Sequence, residues 1–275
     1  MASGTGEKKR GVRAKKVLGQ HFLHDQKTAS KIVDSIVVTP GARLPLLEIG
    51  PGMGVLTRLL IKRDDIDLKV IEIDRESVAY LKENHLLDEH RIVEGDFLRT
   101  DLSEFFGGRF SIIGNFPYNI SSQIFFKVLD NRQRVDQVVC MLQKEVAERI
   151  ASAHGSKVYG ILSVLLQAYF NIEYLFKVSP GVFSPPPKVM SAVIRLRRND
   201  RTRLPCDEDL FFTVVKQGFN NRRKTLRNAL KNLNLAAAVS SLPLLDKRAE
   251  QLAVEEFFHL TRLIEESRAG TSDRI

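Results

Sequence analysis

The stretch LPLLEIGPGMGVLT, residues 44 to 57, decides the fold. It begins as an apolar run of strand length, passes through a glycine-punctuated turn and opens into residues compatible with a helix. Gly50, Gly52 and Gly54 stand at that junction, where the lack of a side chain lets a ligand approach the backbone. The spacing is GxGxG, with Pro51 inside it and Val55 where a dinucleotide fingerprint wants glycine, which argues against a nicotinamide cofactor.

Outward from this turn, further apolar runs of strand length recur at LKVIEID (68 to 74), RIVEGDF (91 to 97), FSIIGN (110 to 115) and QVVCML (137 to 142), with helix-compatible stretches between them. Short apolar strands alternating with helices predict a parallel sheet covered on both faces. A helix over 160 to 170, strands over 173 to 178 and 191 to 196, and a Pro-rich loop FSPPPKV (183 to 189) follow. The polar residues 197 to 207 read as a linker. Helices are then expected over LFFTVVKQGF, RRKTLRNALKNL and VEEFFHLTRLIEES, the last with apolar residues at core-forming helical spacing.

Composition sets the class. The 275 residues are 43% hydrophobic and 27% charged, enough for one large domain and a smaller one. No apolar run approaches the roughly 20 residues of a membrane span, and the N-terminus lacks the apolar segment of a secretory signal, so an intracellular, cytoplasmic protein without a membrane partner is expected. Cys140 and Cys206 read as ordinary thiols: two cysteines write neither a disulfide framework nor a Cys-rich zinc site, and no metal is assigned.

The net charge of +9 is unevenly spread. EKKRGVRAKK (7 to 16) holds six basic side chains against one acidic, and KQGFNNRRKTLRNALK (216 to 231) holds six against none. Either block alone reads as a solvated face. Two blocks flanking a catalytic-looking domain point to a nucleic acid, with Lys15, Lys16, Arg222, Arg223, Lys224 and Arg227 as the candidate phosphate contacts.

The strand ends carry the chemistry. Glu72 ends the second strand, where its carboxylate would accept hydrogen bonds from two ribose hydroxyls at a solvent-accessible position, a role open to Asp74 as well. Asp96 ends the third and would accept from an adenine amino group. Gly turn, ribose acceptor and adenine acceptor thus follow in order along the crevice where open α/β sheets bind ligands. The fourth strand stops in GNFPYNIS (114 to 121), which alone would read as a loop.

Together GQHFL (19 to 23), EIGPGMGVLT, EID, GDFL, GNFPYNIS, FSPPPKV with SAVI, and NRRKTLRNAL (221 to 230) resemble the rRNA adenine N6-dimethyltransferase family, in particular its KsgA-like, small-subunit dimethyladenosine transferase branch. The resemblance runs over nearly the whole chain. It implies a Rossmann-like, S-adenosylmethionine-dependent methyltransferase domain over 17 to 198, followed by a small helical RNA- or ribosome-binding domain over 199 to 275; residues 1 to 16, small, Gly-containing and charged without apolar periodicity, read as a basic disordered arm. It implies His21, Leu23, Gly50, Glu72, Asp96 and Asn115 as cofactor contacts beside the turn glycines, and Phe97 as a wall for the cofactor's adenine. His21 stands where many relatives carry Asn, and Met190 where they often carry an acidic residue.

On that basis Asn115 lies beside the expected sulfonium. An adenine amine is a poor nucleophile because its lone pair is delocalised into the ring. Two acceptors, the Asn115 side-chain oxygen and the Phe116 carbonyl aimed by Pro117, would favour its pyramidal form, so positioning and electrostatics replace a strong base. Tyr118 would supply one flat face for an extruded base and, by resemblance, Phe183 the other. The expected reaction is dimethylation of N6 on two adjacent adenosines near the 3′ end of 16S rRNA in an assembling small subunit, by a monomer. Two alternatives stand beside it: an Erm-like enzyme modifying one adenosine of large-subunit rRNA, and a non-enzymatic ribosome-assembly factor that retains the fold. A cytosine C5 mechanism through Cys206 is rejected because that residue sits in the linker.

Overall fold

A computed structural model describes residues 12, 14, 15 and 18–272, with side chains to residue 269. The expected disordered arm over 1 to 16 therefore lies almost wholly outside the described residues, Lys16 included.

The strands are β1 (Phe22–Leu23), β2 (Leu44–Ile49), β3 (Ile66–Glu72), β4 (Ile92–Glu94), β5 (Phe110–Asn115), β6 (Val135–Gln143), β7 (Phe170–Val178), β8 (Phe183–Ser184) and β9 (Ser191–Arg198). The helices are α1 (Gln26–Asp34), α2 (Thr57–Leu60), α3 (Arg75–Glu83), α4 (Ser121–Asp130), α5 (Lys144–Ala151), α6 (Ile161–Gln167), α7 (Glu208–Asn220), α8 (Leu226–Ala229), α9 (Ala237–Ser240) and α10 (Val254–Ser272). Seven strands form one sheet in the order β4-β3-β2-β5-β6-β9-β7. The first five run parallel, as expected, whereas β9, whose direction the sequence left open, lies antiparallel to both β6 and β7, so the sheet as a whole is mixed. The chain moves outward through β2, β3 and β4 and then returns to place β5 on the other side of β2. That reversal opens a crevice at the C-terminal ends of β2 and β5.

Alternation along the strands explains the layering. In β6, Val138, Cys140 and Leu142 join one apolar cluster with α4, α6, α7 and α10, while Val139 and Met141 join the opposite one with α1 and α3. The first cluster runs without a break from Ile124 and Leu165 to Phe211 of α7 and Phe257 of α10, so the C-terminal helices share the core of the sheet. Arg201 reinforces the junction by pairing with Glu255 at 2.7 Å.

Two elements differ from expectation. The third strand ends at Glu94 because Asp96 turns the chain, its carbonyl accepting from Arg99 and Thr100 and its Oδ1 from the Leu98 amide. The helix expected over 222 to 233 shrinks to α8 and a 3-10 turn, because the Leu226 amide bonds to the Lys247 carbonyl and Asn234 takes a left-handed φ of 51°.

Candidate active site

The β2–α2 turn carries Gly50 and Gly52 at φ of 64° and 56°, a region costly for residues with a side chain. At Gly50 a Cβ would meet nothing within 4 Å, so this glycine presents bare backbone to the crevice. At Gly52 a Cβ would lie 2.8 Å from the Phe22 ring. Gly54 differs from expectation: a Cβ there would meet Leu86 at 2.5 Å, and the residue does not border the crevice, so it serves packing and not ligand contact.

The crevice is a cleft of about 190 Å³. Glu72 borders it at the end of β3 but is only 3% exposed, which corrects the expected accessible position. Its Oε2 accepts from the Gly52 amide at 3.0 Å and its Oε1 from the Asp74 amide at 2.9 Å. Burial raises its pKa, and the backbone hydrogen bonds oppose that rise. Each oxygen keeps a lone pair for a ligand hydroxyl. Asp74 does not border the cleft, and its buried carboxylate is engaged by Lys15, Ser77 and Gln20, which argues against it as an alternative ribose acceptor. Asp96 and Phe97 line the cleft as expected, and the exposed Ile73 adds an apolar face beside them.

At the end of β5 the Asn115 side chain is held from one side only. Its Nδ2 donates to the His21 carbonyl at 2.8 Å, which fixes the amide's orientation, since the flipped form would set oxygen against oxygen. Its Oδ1 is buried and has no hydrogen-bond partner among the described residues. A buried orphan acceptor costs about 1 to 3 kcal/mol, so its retention here calls for a ligand donor. Phe116 borders the same cleft, with its ring in the core edge-on to Phe125. Tyr118 follows, its hydroxyl bonded to Ser191 Oγ and its ring 5.3 Å from that of His21 at 31°. Burial raises the Tyr118 phenol pKa. The His21 Nδ1–H donates to the Pro185 carbonyl at 2.8 Å, so the ring stands as a second flat surface at the mouth.

Two of the expected contacts are buried. Phe183 is 2% exposed and packs in the core cluster with Leu23, its partner in the β1–β8 pair, so it is not a presented stacking face in this conformation. Leu23 is also buried but borders a smaller adjoining cavity with Gly50 and Asn115, and Phe22, between His21 and Leu23, lines the cleft. Strand alternation in GQHFL gives no signal for Phe22, since the consecutive residues 18–22 all line the cleft. Ile73 was visible as an apolar residue directly after Glu72, with nothing in the sequence to tell that it projects.

The basic candidates divide. Lys15 pairs with Asp74 and with Glu76, Arg222 donates to the Lys157 and Tyr159 carbonyls, and Arg227 binds Asp246 together with the Ser240 carbonyl. These three have ties within the protein that the sequence did not reveal. Arg223 and Lys224 are exposed and make no ion pair among the described residues.

The family profile described as ribosomal RNA adenine dimethylase matches residues 11–266. The ribosomal RNA small subunit methyltransferase A of Cytophaga hutchinsonii is 58% identical over 253 residues, covering 92% of this chain and 98% of that protein. Its counterpart in Bacteroides thetaiotaomicron is 55% identical over 258 residues, covering 93% and 96%. Among solved structures, a dimethyladenosine transferase from Plasmodium falciparum superposes with a TM-score of 0.73 at 25% identity over 91% of this chain and 98% of that one. The 23S rRNA methyltransferase ErmE superposes at 0.63, also at 25% identity, over 87% and 99%.

Proposed function

The chain belongs to the ribosomal RNA adenine dimethylase family, and from that premise we propose that it dimethylates N6 of two adjacent adenosines near the 3′ end of small-subunit rRNA, using S-adenosylmethionine. The small subunit is favoured over the large because relatives above 50% identity bear the small-subunit name, whereas the resemblance to ErmE stands at 25%. We further propose that it acts as a cytoplasmic monomer on an assembling particle. Among the described residues, no helix is long and apolar enough to cross a membrane.

The cleft fits the cofactor. Gly50 leaves open backbone, Glu72 offers lone pairs to ribose hydroxyls, Asp96 offers an acceptor to the adenine amine, and Ile73 with Phe97 supply apolar walls. When bound, S-adenosylmethionine supplies an electrophilic methyl group on a sulfonium. The rest of the chemistry falls to the chain.

The observation that carries the reading is the buried, unpartnered Asn115 Oδ1. Accepting one hydrogen of the target amine there, and the other at the Phe116 carbonyl, draws the nitrogen toward its pyramidal form and frees its lone pair. Positive charge develops on that nitrogen as the methyl transfers, and two preorganised acceptors stabilise it without reorganisation. The proton then leaves to solvent, so no strong base is needed. The Tyr118 ring supplies the face for the base, and its hydrogen bond to Ser191 fixes it. Phe116 places its amide against the Met141 carbonyl at 2.9 Å, which holds the turn to β6.

Removing one preorganised acceptor of this kind costs on the order of 10²–10³ in rate. Asn115→Ala is accordingly expected to slow single-turnover methyl transfer by about that factor while S-adenosylhomocysteine affinity, read by calorimetry, falls far less. An affinity loss as large as the rate loss would reduce Asn115 to a cofactor ligand and remove the acceptor mechanism.

A further inference from the structure

Asp74 occupies the N-cap position of α3, yet its carboxylate makes no capping bond to the helix amides. Asp is a favoured N-cap because it satisfies those amides. Here both oxygens are turned elsewhere although the residue is only 2% exposed. Oδ1 takes the Lys15 ammonium, and Oδ2 accepts from Ser77 Oγ at 3.0 Å and from Gln20 Nε2 at 3.5 Å.

The segment so captured is the roof of the cleft. Lys15 folds back on Gln20, its amide donating to Gln20 Oε1 at 2.8 Å, and the Leu18 amide donates to the Lys15 carbonyl at 3.0 Å. Residues 18–22 then line the cleft. At their far end the His21 carbonyl receives the Asn115 amide. At Gly19 a Cβ would lie 2.7 Å from Asn119 Oδ1, so the strap seats closely on the loop after β5. The floor is tied to the same residue, because the Asp74 amide donates to Glu72 Oε1. Asp74 thus holds roof with its side chain and floor with its backbone.

We propose that Lys15 and Asp74 are positioning residues whose ion pair latches the strap 18–22 over the cofactor cleft and sets the geometry between Glu72 and Asn115. The inference rests on the reading of the cleft as an S-adenosylmethionine site. It assigns the first basic block a role inside the protein at Lys15, where charge counting alone would send it to RNA. An anion as buried as Asp74 needs its partner, so removing the lysine alone leaves an uncompensated charge and loosens the strap.

The test is calorimetric titration of S-adenosylhomocysteine into the full chain and its variants, with hydrogen exchange of residues 18–22 read in parallel. Lys15→Met is expected to weaken affinity about tenfold or more and to raise exchange of the strap, the loss of a hydrogen bond to a charged group being of that size. Single-turnover transfer at saturating cofactor should slow as well, because the same strap orients the Asn115 amide through the His21 carbonyl. Lys15→Arg should restore most of the affinity, and Glu76→Gln, which removes only the exposed partner, should leave it within about twofold. If Asp74→Asn folds poorly, the double variant Lys15→Met/Asp74→Asn, which removes both charges, supplies the reading and should bind as weakly as Lys15→Met. A parent chain that fails to bind S-adenosylhomocysteine would refute the cofactor reading. A parent that binds, with Lys15→Met binding equally well and its strap equally protected, would refute the latch alone, and a lowered salt slope for RNA in that variant would return Lys15 to phosphate binding.

Discussion

Glu48, one residue before Ile49 at the end of β2, is buried and receives the Thr57 hydroxyl at 2.7 Å, which ties the strand to α2 across the glycine turn. Burial is the chief cause that pushes its carboxyl up to about 8, with nearby Glu72 adding to the rise and Thr57 opposing it. A carboxyl raised on folding binds more protons in the native than in the unfolded chain. Stability is therefore full below the unfolded value near 4.5 and falls as pH rises toward about 8, with a limiting slope of about 1.4 kcal/mol per unit for one proton. Glu48→Gln keeps a neutral acceptor for Thr57 and removes this slope. Urea unfolding between pH 5 and 9 should show the variant gaining on the parent up to about pH 8 and no further; parallel curves would mean that Glu48 titrates normally. Glu72, also raised, leaves a residual slope of the same sign in both proteins. At this scale the sequence revealed which strand ends bear carboxylates, because position in a β–turn–α pattern is local. It hid the burial of Glu72 and the ties of Arg227, because Gly52, Ser240 and Asp246 reach these side chains only through the tertiary fold.

Among elements, the short β1–β8 pair shows where local reading stops. Phe183 reads as an aromatic in a Pro-stiffened loop, suited to presentation, but pairing with Leu23 turns it into the cluster that also holds Ile32, Met141 and Val193. A buried Phe truncated to Ala typically loses about 3 to 5 kcal/mol. Phe183→Ala is expected to lose about that much in denaturant unfolding, and transfer per folded molecule should stay near the parent's. A stable variant with slowed transfer would restore the stacking role. The parallel strands were legible because runs such as FSIIGN have the length and apolarity of buried strands. The antiparallel direction of β9 was not, since an apolar run reads the same either way and only the hairpin-like return from β7 fixes it. Gly114 carries a related lesson: a Cβ there would lie 2.6 Å from the Ile49 carbonyl, so the glycine of GNFPYNIS is demanded by the close approach of β5 to β2, a tertiary contact.

For the whole molecule, the C-terminal helices and the sheet share one core, with Arg223 and Lys224 left exposed beside the Arg222 tie. Their replacement together by Ala should lower the log–log salt slope of RNA binding by about 0.7 for each phosphate no longer neutralised. Arg227→Ala should leave the slope and lower the melting temperature instead, since its guanidinium holds Asp246 and the Ser240 carbonyl. An unchanged slope in a folded Arg223→Ala/Lys224→Ala variant would make that block solvated surface. Substrate identity is the central claim. The most direct test is transfer of labelled methyl from S-adenosylmethionine to purified, unmethylated small and large ribosomal subunits, followed by nucleoside mapping. Label is expected in N6,N6-dimethyladenosine at two adjacent positions near the 3′ end of the small-subunit rRNA, with none in the large subunit. Label in a large-subunit adenosine, or none in either particle with a chain that binds S-adenosylhomocysteine, would contradict it.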